Sequence, residues 1–434
     1  MSEFSRRGFM ATTAGAVAAT GLSQAVTRAQ SPNDTIRVAV LGVNGRGREH
    51  LDVLAKQPGV QVTALCDPDE KILATRAKAV EEKQGRPVAT ATDMRRIFDR
   101  DDVDAVTVAT PNHWHSLATI WACQAGKDVY VEKPGSHNIF EGRKMIEAAH
   151  KYQRIVQHGV QLRSSPAIQE AIQHLRNGLI GDVYMARGLV FRWRPSIGNQ
   201  PDEAQPPSHL NWDHWQGPAQ ERDFSRRLVH YNWHWHWDYG NGDVGNQGIH
   251  ETDLCQWGLD VELPSQVVGM GGKFLWDDDK ETPEVLSTCY NYPDQKKMIQ
   301  FEVRHWHTNT EDGVTVGNIF YGSEGILLVK GYGTYETYLG RQREPGPKRS
   351  QGGELDLHFA NFFQAMRSRD ASSLNGPVET AHYSSALAHL GNIAFRLGRQ
   401  LEFDPKTERF PHDEEANAML TREYRAPYVV PDQV

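Results

Sequence analysis

The chain has 434 residues, a formal net charge of −8 at pH 7 and 39% hydrophobic residues. That length suffices for two domains with complete cores, and an acidic balance without any Lys/Arg block argues against nucleic acid as a partner. The four cysteines, Cys66, Cys123, Cys255 and Cys289, have neither metal-ligand spacing nor the density of a disulfide framework.

Residues 1–30 read as an export signal. Ser5-Arg6-Arg7-Gly8-Phe9-Met10 is a twin-arginine pattern, followed by an uncharged Ala/Gly/Thr-rich run from Ala11 to Leu22 and small residues up to a cleavage site near Ala29. The apolar run is too short to remain as a membrane span. The expectation is therefore a periplasmic protein carried by the twin-arginine route, not an integral membrane protein.

Residues 35–160 alternate strand and helix patterns. A β-branched strand, Ile36–Leu41, runs into Gly42-Val43-Asn44-Gly45-Arg46-Gly47, with a helix from Arg48 to Lys56. Strand, glycine-rich turn and helix form a dinucleotide fingerprint: glycines admit the pyrophosphate and the helix N-terminus presents free N–H groups to it. Asn44 stands where the fingerprint expects a second glycine; Asn tolerates positive φ, and Gly45 is next to it. A second strand, Val60–Cys66, ends at Asp67, an acceptor for ribose hydroxyls that repels a 2′-phosphate and so favours NAD over NADP. The competing possibilities are that Asp67 is only a turn residue before Pro68, or that Arg46 and Arg48 serve NADP. A strand over Val103–Ala109 leads into Thr110-Pro111-Asn112-His113-Trp114-His115, and Asp128–Val131 into Glu132-Lys133-Pro134. This alternation implies a parallel sheet with ligands at its carboxyl ends. Thr110, Pro111, Asn112, His115, Glu132 and Lys133 should therefore face the nicotinamide half of the cofactor.

G-V-N-G-R-G, T-P-N-H-W-H and V-E-K-P-G-S, with G-V-Q-L-R at Gly159–Arg163 and the later G-N-Q-G-I-H-E-T-D, together resemble the Gfo/Idh/MocA oxidoreductases. The resemblance implies an α/β Rossmann domain followed by an α+β domain with a large open, mostly antiparallel sheet. It also implies homo-oligomers formed through that sheet, and sugars or their derivatives as substrates. By motif position it carries the catalytic acid/base roles to Lys133 and His250; Arg163, Asn246 and Asp253, within the same motifs, are expected substrate contacts. Many relatives have Asp where this chain has Asn246. Asn can hold a hydroxyl but cannot stabilise an imidazolium by charge. Asp253 and Glu251 either compensate for Asn246 or face solvent.

The second domain, residues 161–405, turns to strand-like alternation at Val183–Trp193, Lys297–His307 and Gly317–Val329. Between these lies His230-Tyr231-Asn232-Trp233-His234-Trp235-His236-Trp237-Asp238-Tyr239, aromatic at one parity and polar at the other. If extended, it has an aromatic face and a polar face. Three readings stand: Trp233, Trp235 and His236 binding a sugar; plain packing; or a metal held by His234, His236 and Asp238. A helix over Gln247–Leu259 carries His250, and two more helices follow at Leu355–Arg369 and Glu379–Gly398. Residues 406–434 read as a tail wrapping a neighbouring subunit.

Hydride leaves a carbinol carbon only if the O–H proton leaves too. A histidine near its working pKa suits that step, and a lysine ammonium suits the developing alkoxide. Little free NAD is expected beyond the membrane, so the expected enzyme keeps its cofactor bound and closes each cycle on itself. It would oxidise a CH–OH of a sugar, sugar derivative or glycoside. One alternative is a glycosidase or lyase acting through a transient keto-sugar; the relatives of that kind lack the E-K-P lysine present here. A second alternative, of another class, is a non-catalytic periplasmic sugar-binding protein.

Overall fold

The computed structural model describes residues 35–199 and 205–434; the twin-arginine pattern lies outside them. Six parallel strands form the first sheet: β1 (Ile36–Leu41), β2 (Val60–Cys66), β3 (Ala89–Ala91), β4 (Ala105–Val108), β5 (Asp128–Val131) and β6 (Val156–His158). Their order is β3-β2-β1-β4-β5-β6. Helices cover both faces, which is why β1, β4 and β5 read as nearly unbroken apolar runs. β3 and β6 have three residues each, too few to show a period in sequence. The order reverses between β1 and β4, opening a crevice at the carboxyl ends of the strands.

The second sheet has nine strands. They are β7 (Val183–Phe191), β8 (Gln266–Gly272), β9 (Val285–Tyr292), β10 (Lys297–Arg304), β11 (Val316–Gly322), β12 (Gly325–Lys330), β13 (Thr334–Leu339), β14 (Glu344–Ser350) and β15 (Leu401–Glu402). The order is β14-β13-β12-β11-β7-β10-β9-β8-β15. Only β7 and β10 pair in parallel. The run expected as one strand over Gly317–Val329 is a hairpin, β11 pairing antiparallel with β12. Helix Ile249–Leu259 packs on β7, β10 and β11, while Tyr184, Val268 and Met270 are exposed. Among the described residues no helix is long and apolar enough to cross a membrane, and all four cysteines are free.

The chain returns to the first sheet at its end. Helix Glu354–Ser368 buries Phe359, Phe362 and Phe363 in the core around β1 and β2, with Phe359 stacked on Tyr130 at 4.2 Å. Helix Val378–Leu397 packs between helix Ile139–Lys151 and β8. The tail packs on its own chain. The Tyr428 hydroxyl donates to Asp213 (2.7 Å), its ring lies against Trp114, and Arg422 donates to Asp238 O. Its arginines and tyrosines find their complements within the molecule.

The segment Tyr231–Tyr239 is not extended. Asn232–Trp235 is a 3₁₀ turn, and His234, His236 and Tyr239 N–H groups bond to the carbonyls of Tyr231, Trp233 and His236. Among the described residues no strand pairs with it, so its backbone groups are satisfied by the turn itself and by Glu281, Thr282 and His113. The parity that suggested two faces therefore has no meaning here.

Candidate active site

A cavity of about 510 Å³ opens at the crevice of the first sheet and runs to the second domain. Gly42, Asn44, Gly45, Arg46, Asp67, Thr110, Pro111, Asn112, His115, Glu132 and Lys133 all line it. Gly45 takes the positive φ (+44°) that Asn44 was expected to bear, and a Cβ there would meet nothing within 4 Å. Gly47 does not line the cavity. A Cβ on it would lie 1.8 Å from Gly42 O, so it serves the close approach of helix to strand. Asp67 is buried at the end of β2, accepting the N–H of Val43 (2.9 Å) and of Asp69 (3.0 Å). It is thus a turn residue as well as a lining group. Burial pushes its carboxyl up while those two N–H groups pull it down.

Arg46 is turned toward Glu132 rather than Asp67. Its Nε donates to Glu132 (2.8 Å), which also holds His50 Nε2 (3.0 Å). Burial would raise the Glu132 carboxyl, but the Arg46 charge and the His50 bond hold it well below the usual range. His115 joins the two loops, its ring nitrogens 2.6 Å from Pro134 O and 2.8 Å from Thr110 O. Asn112 reaches across to Asn241 Oδ1 (3.1 Å), and Asn241 in turn donates to His137 O.

Residues 205–239 form a strap over the end of the cavity that Asp67 and Pro68 line. Leu210 bridges to Asp69, Glu70 N–H donates to His209 O and Asn211 N–H to Pro68 O. The Trp114 indole donates to Trp215 O (3.2 Å). The strap has its own core of Leu210, Trp215, Phe224, Leu228, Trp233 and Tyr239. His230 Nε2 stands 3.2 Å from Asp69.

At the other end the two domains meet. Lys133 Nζ donates to Asn246 O, and His250 enters the same cavity. Burial brings the Lys133 ammonium down to about 8, the Glu132 charge resisting. Burial, then the Lys133 charge, holds His250 well below its ordinary value, so it is a neutral base. Asn246 Nδ2 donates to the Tyr231 hydroxyl (3.2 Å). The Arg194 guanidinium grips Asp243 at 2.8 and 3.0 Å and donates to that same hydroxyl.

Of the expected substrate residues, Trp233, Asn246 and His250 line the cavity, and Arg163, Trp235, His236 and Asp253 do not. Arg163 and Asp253 are a bidentate ion pair (2.8–3.0 Å), and Arg163 opens on a different cavity beside Trp257 and Tyr383. Trp235 is buried behind Arg194, and His236 is buried against Glu281 (3.2 Å). The proposed metal trio is split: His234 Nδ1 faces Tyr231 O, His236 Glu281, and Asp238 Arg222. Among the described residues no cluster of three His, Cys, Asp or Glu could hold a metal. Arg192, Arg194, Tyr231, Gln247 and Tyr332 line the cavity without having been singled out. The parity of β7 continued past Phe191 puts Arg192 and Arg194 on one face and could have marked them; Tyr332, on a turn, carried no signal.

The lining fits a dinucleotide. An open glycine turn stands at a helix start, and Arg46 Nη2, Thr110 Oγ1 and His250 Nδ1 are buried without a partner. Residues 36–160 match the model of the oxidoreductase family with an NAD-binding Rossmann fold, and residues 174–299 and 348–430 match that of the family's C-terminal α/β domain. A "Glycosyl hydrolase family 109 protein" of Saccharopolyspora erythraea is 32% identical over 167 residues, 37% of this chain and 36% of that one. One of Solibacter usitatus is 33% identical over 177 residues, 38% and 40% of the two chains. The chain thus spans well under half the length of these curated relatives. Among solved structures, levoglucosan dehydrogenase in complex with NADH and L-sorbose superposes with TM-score 0.67 at 16% identity, over 85% of this chain and 99% of that one. The aldose–aldose oxidoreductase of Caulobacter crescentus gives 0.66 at 18%, over 85% and 100%. The WlbA dehydrogenase of Bordetella pertussis, in complex with NADH and UDP-GlcNAcA, gives 0.64 at 17%, over 85% and 99%. At these identities the likeness is one of fold. With both family models matched in order along one chain, this protein belongs to the Gfo/Idh/MocA oxidoreductase family.

Proposed function

We propose that this protein is an exported NAD-dependent oxidoreductase acting on a CH–OH group of a sugar, sugar derivative or glycoside. The observation that carries the reading is the meeting of Lys133 and His250 in one cavity with the glycine turn. A bound NAD supplies the hydride acceptor and, when the cycle closes, the donor. His250, neutral and with Nδ1 unpartnered, takes the hydroxyl proton. Lys133, charged below about pH 8, stabilises the developing alkoxide. Asn246 fixes Lys133 through its carbonyl and Tyr231 through its amide. Asp67, and the diversion of Arg46 to Glu132, support NAD over NADP. The strap over the Asp67 end of the cavity supports a cofactor retained between turnovers.

The family 109 relatives keep a second reading in view, in which the same transient oxidation serves cleavage of a glycosidic bond; Lys133 favours reversible oxidation as the core step. The twin-arginine pattern supports export, and the exposed Tyr184, Val268 and Met270 support self-association through the second sheet. Purified mature protein should carry near-stoichiometric NAD(H) through dialysis and show the reduced-nicotinamide absorbance when a sugar is added. An empty protein with weak affinity for NAD would overturn the retained cofactor. Loaded protein unresponsive to any sugar or glycoside would overturn the activity.

A further inference from the structure

Among the described residues, Arg192 is a cation of the substrate end that no carboxylate answers. It lies one residue beyond β7, is exposed and lines the cavity. Among the described residues its guanidinium bonds only to the neutral Gln247 Oε1, at 2.8 Å. The nearby carboxylates are taken: Glu132 by Arg46 and His50, and Asp243 by Arg194 with His305 at 3.4 Å. A third, Glu251, is buried behind Gln247 and does not line the cavity. Burial pushes it up to about 8, so it is mostly uncharged at neutral pH.

The amide holding Arg192 is itself fixed. Gln247 Nε2 donates to Glu251 Oε1 (3.2 Å) and to the Tyr332 hydroxyl (2.9 Å). That leaves Gln247 Oε1 no role but to accept from Arg192, which orients one N–H of the guanidinium and leaves its other donors to the cavity. His250 N–H bonds to Gln247 O across the turn that leads into helix Ile249–Leu259, and both residues line the same cavity. Lys133, whose ammonium donates to Asn246 O, lines the same cavity.

We propose that Arg192 recognises an anionic substituent, a carboxylate or phosphate ester, on the sugar whose hydroxyl lies at Lys133 and His250. The substrate class is then a sugar acid or sugar phosphate rather than a neutral sugar. A guanidinium offers two parallel N–H groups to such an oxyanion, and a charge-assisted bond in a partly enclosed site discriminates strongly. The inference rests on the reading that this cavity takes a carbohydrate, and binding can be measured apart from turnover.

The test is titration calorimetry on the NAD-loaded full chain with methyl β-D-glucuronide, D-galacturonate, D-glucose 6-phosphate and neutral methyl β-D-glucoside. The two uronates separate a carboxylate from the phosphate ester as the source of charge. At least one anionic ligand should bind about 10–100-fold tighter than the neutral glycoside. In Arg192→Met that ratio should collapse toward one, and Arg192→Lys should restore part of it. Equal affinity for charged and neutral ligands, an unchanged ratio in Arg192→Met, or no binding of any of them overturns the proposal. Anion-selective binding that depends on Arg192 without nicotinamide reduction would uphold it while overturning the oxidoreductase reading.

Discussion

At the scale of single residues, the acid/base pair makes the sharpest prediction. Neither Lys133 nor His250 belongs to the glycine turn or touches Asp67, so Lys133→Met and His250→Ala should keep bound NAD. Each should lose about 10²–10⁴-fold in single-turnover nicotinamide reduction. Both act on one proton, so the double variant should be little worse than the worse single. The pH profile follows from the two environments. Lys133 is an ammonium only below about 8 and His250 stays neutral well below its ordinary value. The rate should be level through neutrality and fall as pH rises through about 8; a rate still climbing above pH 8 would exclude the ammonium role. Asp67→Ala removes a ribose acceptor and two backbone anchors together. It should weaken NAD more than NADP in a dinucleotide titration, and an equal loss for both would leave Asp67 as a turn residue alone.

At the scale of elements, the strap and the helix Glu354–Ser368 carry the consequences. The strap is pinned by Trp114 to Trp215 O and packed by the Trp212–Trp215 stack (4.8 Å). Trp215→Ala should loosen it and speed NAD release by at least about tenfold in a stopped-flow chase, since truncating a buried Trp costs about 3–5 kcal/mol. Phe359 is fully buried against Tyr130 and His50. Phe359→Ala should therefore cost about 3–5 kcal/mol in denaturant unfolding. Helix existence was legible from apolar spacing, and that helix runs within a residue of its expected bounds. Which sheet it served was not legible, because the phenylalanines that cover the first sheet would cover the second equally well. The strap departs from its sequence pattern for a related reason: alternation predicts an extended segment only where a neighbouring strand can take its backbone bonds.

At the scale of the molecule, buried imidazoles set the acid limit. Burial brings His113, His158, His234, His382 and His389 to about 3 and His358 to about 4. Between those values and their unfolded value near 6.5 the unfolded chain binds more protons, so stability falls as pH falls. Each group contributes up to about 1.4 kcal/mol per pH unit in that window. The buried carboxyls of Glu251, Asp67 and Glu141 run the other way, but His50, His115, His137 and His250 are held down as well. The thermal midpoint should drop by several degrees between pH 7 and pH 5, and a flat profile would mean that these histidines are protonated in the folded state.

The sequence by itself determined the Rossmann half and the two ends of the reaction site. β1, the glycine turn, Asp67 and the E-K-P lysine are local signals, because parallel strands bury both faces and their carboxyl ends open on one crevice. His250 was reachable only by motif position, since a single histidine on a helix has no periodicity of its own. Tertiary structure alone decided that Arg163 and Asp253 pair on the wall of another cavity, because a salt bridge between residues ninety positions apart leaves no spacing to read. It also decided that the strap closes over the Asp67 end of the cavity, that the tail packs on its own chain, and that among the described residues Arg192 is left without a carboxylate. Each of those facts depends on which groups meet across the chain, a matter of three-dimensional distance that residue order does not encode.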